Sequence, residues 1–319
     1  MSLTHVDVHS LKQMIQSRAR ELGFDLVGIS SAAPSDYADY FKQWLADGNA
    51  GEMHYLHRRL DERTDVTKLL PGCRSVISVA MNYHVPLEKS ADEQAPAAKI
   101  ARYALGNDYH ELVKPKLYAI ADMVRELVPG SQTKCGVDTA PIMEKELAAR
   151  AGIGWLAKNT NIVNPQIGSW FFLGSILTTV DLPADAPATD HCGSCRRCID
   201  ACPTGAITAP YQLDARKCIS YLTIEHSGSI DAELSAKMGS WLYGCDVCQD
   251  VCPFNSRAID TAEPWLQPRF ADGAIDANEV LAWDENAYHT NTRRAATRRV
   301  KLPILQRNAG IVLGNREEI

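Results

Sequence analysis

In the stretch HCGSCRRCIDACPTGAI, Cys192, Cys195 and Cys198 are separated by two residues each, Cys202 follows after three more, and Pro203 stands directly behind it. Three thiolates on one tight loop at this spacing reach three corners of a cubic 4Fe-4S cluster, and the fourth corner needs a cysteine from elsewhere. The chemistry such a run offers is the storage and transfer of single electrons.

When two clusters share a module, the last cysteine of each run serves the other cluster, so a second run is required. YGCDVCQDVCPFN supplies Cys245, Cys248, Cys252 and Pro253 but is one cysteine short, because Leu242 stands where the first would be. Cys218, in ARKCISYL, is the only cysteine between the two runs. The sets close as Cys192, Cys195, Cys198 and Cys252 for one cluster, and Cys202, Cys218, Cys245 and Cys248 for the other. Structural zinc favours separated cysteine pairs around a tetrahedral ion, and this spacing argues against it. Disulfides need an oxidising compartment, which nothing in the chain marks. Cys73 and Cys135 stand alone in or beside strand-like segments and read as buried thiols.

The elements that must carry these runs follow from periodicity. Leu11, Met14, Ile15, Ala19 and Leu22 recur at helical spacing, with Ser10 as a possible cap and Gly23 as the stop. Phe24–Ser30 and Ser75–Tyr83 read as buried strands, and Ser35 could cap a helix that ends near Gly48. VPLEKSADEQAPAAK has the composition of an exposed loop. An amphipathic helix is expected from Asp108 to Val128, kinked or started by Pro115. TKCGVD is a strand, and Thr139, Pro141 and Glu144 signal a helix running to Gly152, which puts Asp138 at a strand-to-helix junction. Gly152, Gly154 and Ala157 imitate a dinucleotide fingerprint, but they end a helix where the fingerprint opens one. TNIVN and SWFFLGSILTTV are expected to form a hairpin across PQIG, and the Pro/Ala/Asp stretch Leu182–Asp190 is a linker.

With 319 residues, 45% hydrophobic and 23% charged, the chain is globular and of about two domains' length. The net charge of −6 excludes whole-molecule attraction to nucleic acid. A local patch remains open: Arg293, Arg294, Arg298, Arg299, Lys301 and Arg307 occur with no acidic residue between Glu285 and Glu317. Those residues suit either a phosphate-binding surface or a solvated helix face, and the same choice holds for Arg58, Arg59 and Arg63. No export signal and no apolar stretch of membrane-spanning length is legible, so a cytoplasmic location and no membrane partner are expected.

Two clusters form a wire that needs something to reduce, and the large segment ahead of them favours an enzyme over a relay subunit. IARYALGNDYHELVKPKL, VDTAPIMEKELAARAGIGWLAKNT, the cysteine runs and YLTIEH resemble the epoxyqueuosine reductase family, from the first helix to the end of the chain. The resemblance implies an α+β fold: a nitroreductase-like α/β cobalamin- and substrate-binding domain over 1–185, a ferredoxin-like module with two 4Fe-4S clusters over 186–256, and a short, mainly helical C-terminal segment over 257–319 that contacts tRNA. It implies reduction of epoxyqueuosine to queuosine at the wobble position of tRNA. Cobalamin would be reduced through the two clusters, and an external electron donor would supply the chain, which is expected to act as a monomer.

Asp138 matches the family's proton donor. As a plain helix-start aspartate it would be held ionised and be a poor acid, whereas burial beneath a corrin would push its pKa up. Asp108 and His110 begin an Asp-x-His-x-x-Gly motif that Val113 breaks, and the resemblance implies a base-off cobalamin with no histidine ligand. Ser220, Tyr221, Gly244 and Asp246 flank the second cluster's cysteines and are expected to touch the corrin. Arg63, Ala101, Arg102 and Ser169 lie in segments that match the family and are expected to face its ring or amides. Ala157 stands where the family often has glycine, with Lys158 and Asn159 kept in register. The other readings are a reductive dehalogenase of small molecules and a non-catalytic iron-sulfur electron-transfer subunit.

Overall fold

The computed structural model describes residues 7–87, 97–270 and 272–317. Part of the loop expected after Tyr83, residues 88–96, lies outside them; its last residues form the strand Ala97–Ile100.

The main sheet has the order Leu26–Ser31, Ser75–Asn82, Phe171–Thr178, Thr133–Gly136, with every neighbouring pair antiparallel. Ser75–Asn82 is buried at every position because both sheet faces are covered. Alternation sorts its side chains: Ile77, Val79 and Met81 join the core made with the helices Val8–Glu21 and Tyr109–Leu127, while Ala80 packs with Ala148 and Ala151 around the helix Glu144–Arg150. Gly28 allows that second packing, since a Cβ there would lie 1.9 Å from the Ala151 carbonyl oxygen. The first helix is capped by Asp7, which accepts from the amides of His9 and Ser10, and not by Ser10. Pro115 lies inside Tyr109–Leu127 and does not start it; Asp108 caps it, and Val113, Leu117, Ile120 and Val124 keep one buried stripe across the proline.

The expected hairpin across PQIG is replaced by another pairing. Ile162–Val163 pairs with Trp155–Leu156, and Phe171–Thr178 enters the sheet between Ser75–Asn82 and Thr133–Gly136. A strand buried on both faces is most stable where both of its edges are also hydrogen-bonded. A single bridge, Asn164 to Gly168, closes the turn.

A second sheet takes Trp241–Tyr243, Ala97–Ile100 and Ala274–Asp276 in that order, so widely separated parts of the chain each give one strand. Ile100, Leu105, Leu242, Ile275, Val280, Leu305 and Val312 form its core with the helix Leu302–Glu317. Asn308 on that helix is fully buried and donates to the carbonyls of Thr223 and Leu242. This ties the C-terminal segment to the short helix Ile219–Ile224, which begins just after Cys218. The architecture is α+β. Among the described residues no helix is long and apolar enough to cross a membrane.

Candidate active site

The cysteine runs wrap two short helices, Arg197–Asp200 and Val247–Asp250. Cys192, Cys195, Cys198 and Cys252 come together around a cavity of about 220 Å³. Cys202, Cys218, Cys245 and Cys248 line a different cavity of about 360 Å³. Among the described residues no group of three or more His, Cys, Asp or Glu is arranged to hold a single metal ion. Burial pushes the Cys245 thiol up to about 12, and the charge of Cys218 adds to the shift. Burial raises Cys218 and Cys248 as well, and ionising these three buried thiols needs a positive centre beside them, a requirement that iron meets.

The cavity of the second set adjoins a larger one of about 980 Å³, and Tyr103, Tyr109, Asp138, Lys145, Cys218 and Ser220 line both. That size is at the upper end of the roughly 300–1,000 Å³ typical of small-molecule sites. The outer rim carries Arg293, Arg294, Arg298 and Arg299, all exposed. Arg307, in the same basic stretch, does not belong to this surface: its guanidinium donates to the carbonyls of Leu222, His226 and Gly228.

Asp138 sits in the shared wall. It follows the strand Thr133–Gly136 but does not start a helix, because the next helix begins only at Glu144. Its φ of 52° lies in the left-handed region, which aspartate tolerates better than most residues and which clusters at functional sites. The Thr139 amide closes a tight turn onto the Val137 carbonyl at 2.5 Å. His110 lowers the Asp138 pKa, with Arg299 and Lys145 adding positive charge. Burial acts upward on this carboxyl, as expected, but the cation beside it outweighs the desolvation.

His110 is legible in the sequence only as part of a broken motif, yet it is central here. Its Nδ1 lies 2.8 Å from Asp108 Oδ1 and its Nε2 3.6 Å from Asp138 Oδ2. Burial opposes its protonation, but Asp108 and Asp138 together raise its pKa to about 9. Its ring stacks on Tyr109 at 4.1 Å, and Tyr109 stacks on Phe172 at 4.0 Å, so the sheet core fixes its orientation. Glu144 is a second group that sequence reasoning misses, raised to about 7 by burial and by the Asp138 charge. Lys145 beside it donates to Thr160 O at 3.0 Å and Asn161 Oδ1 at 3.1 Å. Their signal is adjacency to Asp138 in the same motif, without side-chain chemistry of its own.

The remaining sequence-selected residues divide. Ser169, Ser220 and Asp246 line the inner cavity, and Ser220 and Tyr221 the outer one. Tyr221 is held by accepting the Glu52 amide at 2.7 Å. Ala101, Arg102 and Gly244 form the layer behind the wall. A Cβ on Gly244 would lie 2.5 Å from that of Ala101, and Arg102 holds Asp246 through its amide at 2.8 Å and Asp250 through its guanidinium at 2.6 Å. Arg63 lies near Tyr55 and Glu144, and burial lowers its pKa. The Nε atoms of Arg63 and Arg102 are buried without a partner. Cys73 is buried and Cys135 half-buried, and neither lines the cavities above.

Residues 191–255 match the 4Fe-4S double cluster binding domain, and residues 63–139 match the family model described as Epoxyqueuosine reductase QueG, DUF1730. An α+β fold whose cavity is lined by cysteines of a double-cluster module defines an iron-sulfur oxidoreductase. The chain is 40% identical over 304 residues to an epoxyqueuosine reductase of Xanthomonas campestris, covering 94% of this chain and 86% of the relative. It is 40% identical over 313 residues to an epoxyqueuosine reductase of Escherichia coli, covering 97% and 82%. A crystal structure of epoxyqueuosine reductase with an epoxyqueuosine-modified tRNA-Tyr stem loop superposes with a TM-score of 0.90 at 31% identity, covering 97% of this chain and 82% of that one. This chain belongs to the epoxyqueuosine reductase family.

Proposed function

We propose that this chain reduces the epoxide of epoxyqueuosine in tRNA to the alkene of queuosine, with two electrons and two protons entering and one water leaving. The observation that carries the reading is the shared wall of the two cavities. Asp138 and His110 face the outer cavity, all four cysteines of the second set line the inner one, and arginines rim the mouth. Electron supply, proton supply and a phosphate-attracting entrance thus converge on one space.

In this reading the two cysteine sets would hold 4Fe-4S clusters, which would supply single electrons from an external donor, and the second set alone borders the reaction space. The cavity suits cobalamin between the second set and Asp138. Ser169, Ser220, Tyr221 and Asp246 would hold it; Arg63 and Arg102 line neither cavity, although each keeps a buried Nε without a partner. When bound, cobalamin would supply a low-valent cobalt able to break a carbon–oxygen bond. His110 is turned toward carboxylates at both ring nitrogens, at 2.8 Å from Asp108 and 3.6 Å from Asp138, so its role in this reading is to hold a proton and not to hold the cofactor.

Opening the epoxide develops negative charge on oxygen, and a positioned acid lowers that barrier. Asp138 delivers the proton. Ionised in the free site, it takes that proton from His110, so the pair acts as one acid. Arg293, Arg294, Arg298 and Arg299 attract the tRNA backbone and hold the anticodon loop over the mouth.

Nucleoside mass spectrometry tests the reading on epoxyqueuosine-containing tRNA, incubated anaerobically with cluster-reconstituted protein and reductant, with cobalamin present or omitted. Loss of one oxygen only with cobalamin, and its failure in Asp138→Asn, is the expected result. Unchanged tRNA with clusters and cobalamin loaded would falsify it.

A further inference from the structure

The stretch Ala157-Lys158-Asn159 joins the two cysteine sites. Asn159 donates to the Cys248 carbonyl at 3.2 Å, toward the second set, while Lys158 turns to the first. Lys158 is only 9% exposed, and its Nζ donates to Gly193 O at 2.5 Å and Cys195 O at 2.9 Å. It lines the small cavity with Cys192, Cys195, Cys198 and Cys252.

This buried ammonium has no carboxylate of its own: among the described residues no ion pair includes it. Asp190 feels its charge, but the Asp190 oxygens accept from the Cys192 amide at 2.7 Å and from the Tyr211 hydroxyl. A buried cation without a counter-ion is strongly destabilised. Two loop carbonyls and the charge of Asp190 compensate this ammonium in part, and an anionic group held by the four cysteines would sit beside it as well. A 4Fe-4S cluster on four thiolates is an anion, and gaining one electron adds one negative charge with no bond made or broken. A second group points the same way: the Trp155 indole, 2% exposed, donates to Cys192 Sγ at 3.4 Å. Hydrogen bonds to cluster sulfur and nearby positive charge both stabilise the reduced form.

We infer that Lys158 is a positioning residue that raises the reduction potential of the first cluster, making it the acceptor for electrons from an external low-potential carrier. The inference rests on the cluster reading above and goes beyond it by assigning the first cluster a buried cation of its own, distinct from Lys145, whose charge acts on Cys218 and Cys248 of the second set. Gly193 and Cys195 offer carbonyls that a neutral donor could also satisfy, so the loop's shape and its charge are separable.

The test is an EPR-monitored redox titration of the reconstituted full chain, with the signals assigned by Cys218→Ser, which alters the second cluster alone. Lys158→Met and Lys158→Gln are expected to shift the first cluster's midpoint to lower potential and leave the second in place. Lys158→Arg keeps the wild-type value, and Trp155→Phe gives a smaller downward shift. An unmoved midpoint in the neutral variants, or an equal shift of both clusters, overturns the inference. So does failure of both neutral variants to hold the first cluster, which would make Lys158 a builder of the loop and not a setter of its potential. Absence of two 4Fe-4S signals in the unmutated protein would instead overturn the cluster reading itself.

Discussion

His110 is clamped between two carboxylates, with Nδ1 2.8 Å from Asp108 and Nε2 3.6 Å from Asp138. The imidazole holds a proton to about pH 9 although burial opposes it. The sign follows from the raised value. The favourable interaction is fully present below the ordinary histidine range and is lost as pH rises through about 9. Activity limited by proton delivery should therefore hold through neutral pH and fall above about 9. His110→Gln should lower kcat by roughly 10²-fold, the lower end for a positioned acid or base, and remove the alkaline limb. A pH–rate profile of both proteins checks this; a variant that keeps the rate and the limb sinks the pair.

Asp138→Asn separates chemistry from folding. Asparagine accepts the left-handed backbone that Asp138 adopts at φ 52°, so the turn should survive and thermal unfolding should stay close to the parent. Without a carboxyl to pass the proton, kcat should drop by about 10²–10⁴ while tRNA affinity holds. Equal loss of affinity and rate would assign Asp138 to binding.

Cys218 stands outside both tight runs, and its place among Cys202, Cys245 and Cys248 depends on the fold. Cys218→Ser should remove or convert the second cluster and leave the first, lowering bound iron by up to about half. Iron analysis and EPR of the reconstituted variant read this directly. Full iron content with two unaltered 4Fe-4S signals would mean that another ligand completes the set.

How much of the molecule is legible in the chain depends on how locally each feature is encoded. The cysteine runs are legible because thiolate spacing on one loop is a covalent constraint. The stripe Val113, Leu117, Ile120 and Val124 is legible because helical period survives even Pro115, which forfeits one amide without breaking the packing. His110 is not, because its meaning lies in Asp108 and Asp138, and the second of these reaches it only through the sheet and the long helix. The strand Ala274–Asp276 pairs with Ala97–Lys99 from a distant part of the chain, and three residues carry too little periodicity to announce such a partner. Asp138 is legible as a motif position, but its unusual backbone and its cationic neighbour are tertiary facts.

Asn308 makes a prediction about stability. Fully buried, it donates at 3.0 Å to Thr223 O and at 2.9 Å to Leu242 O. Asn308→Leu would leave two buried carbonyls without that donor, each costing about 1–3 kcal/mol. Denaturant unfolding should show the loss. Because Thr223 lies near the end of the helix that follows Cys218, the second cluster should also be lost sooner on heating than the first.

The rim arginines differ in how free they are to meet phosphate. Arg299 is 2.7 Å from Glu225, and Arg294 is 3.7 Å from Glu111 while lying over Trp265. Arg293 and Arg298 have no such ion pair among the described residues, so they reach phosphate without first releasing a carboxylate. Replacing both with alanine should weaken tRNA binding more than replacing Arg294 and Arg299. It should also reduce the slope of log affinity against log salt by about 0.7 to 0.9 for each phosphate that is no longer neutralised. Arg307→Ala should behave differently, unfolding more easily because it leaves the carbonyls of Leu222, His226 and Gly228 without their guanidinium donor. Filter binding across a salt series separates the two classes. A salt slope unchanged in the Arg293/Arg298 double variant would place the tRNA backbone elsewhere and make this basic stretch a solvated edge of the cavity.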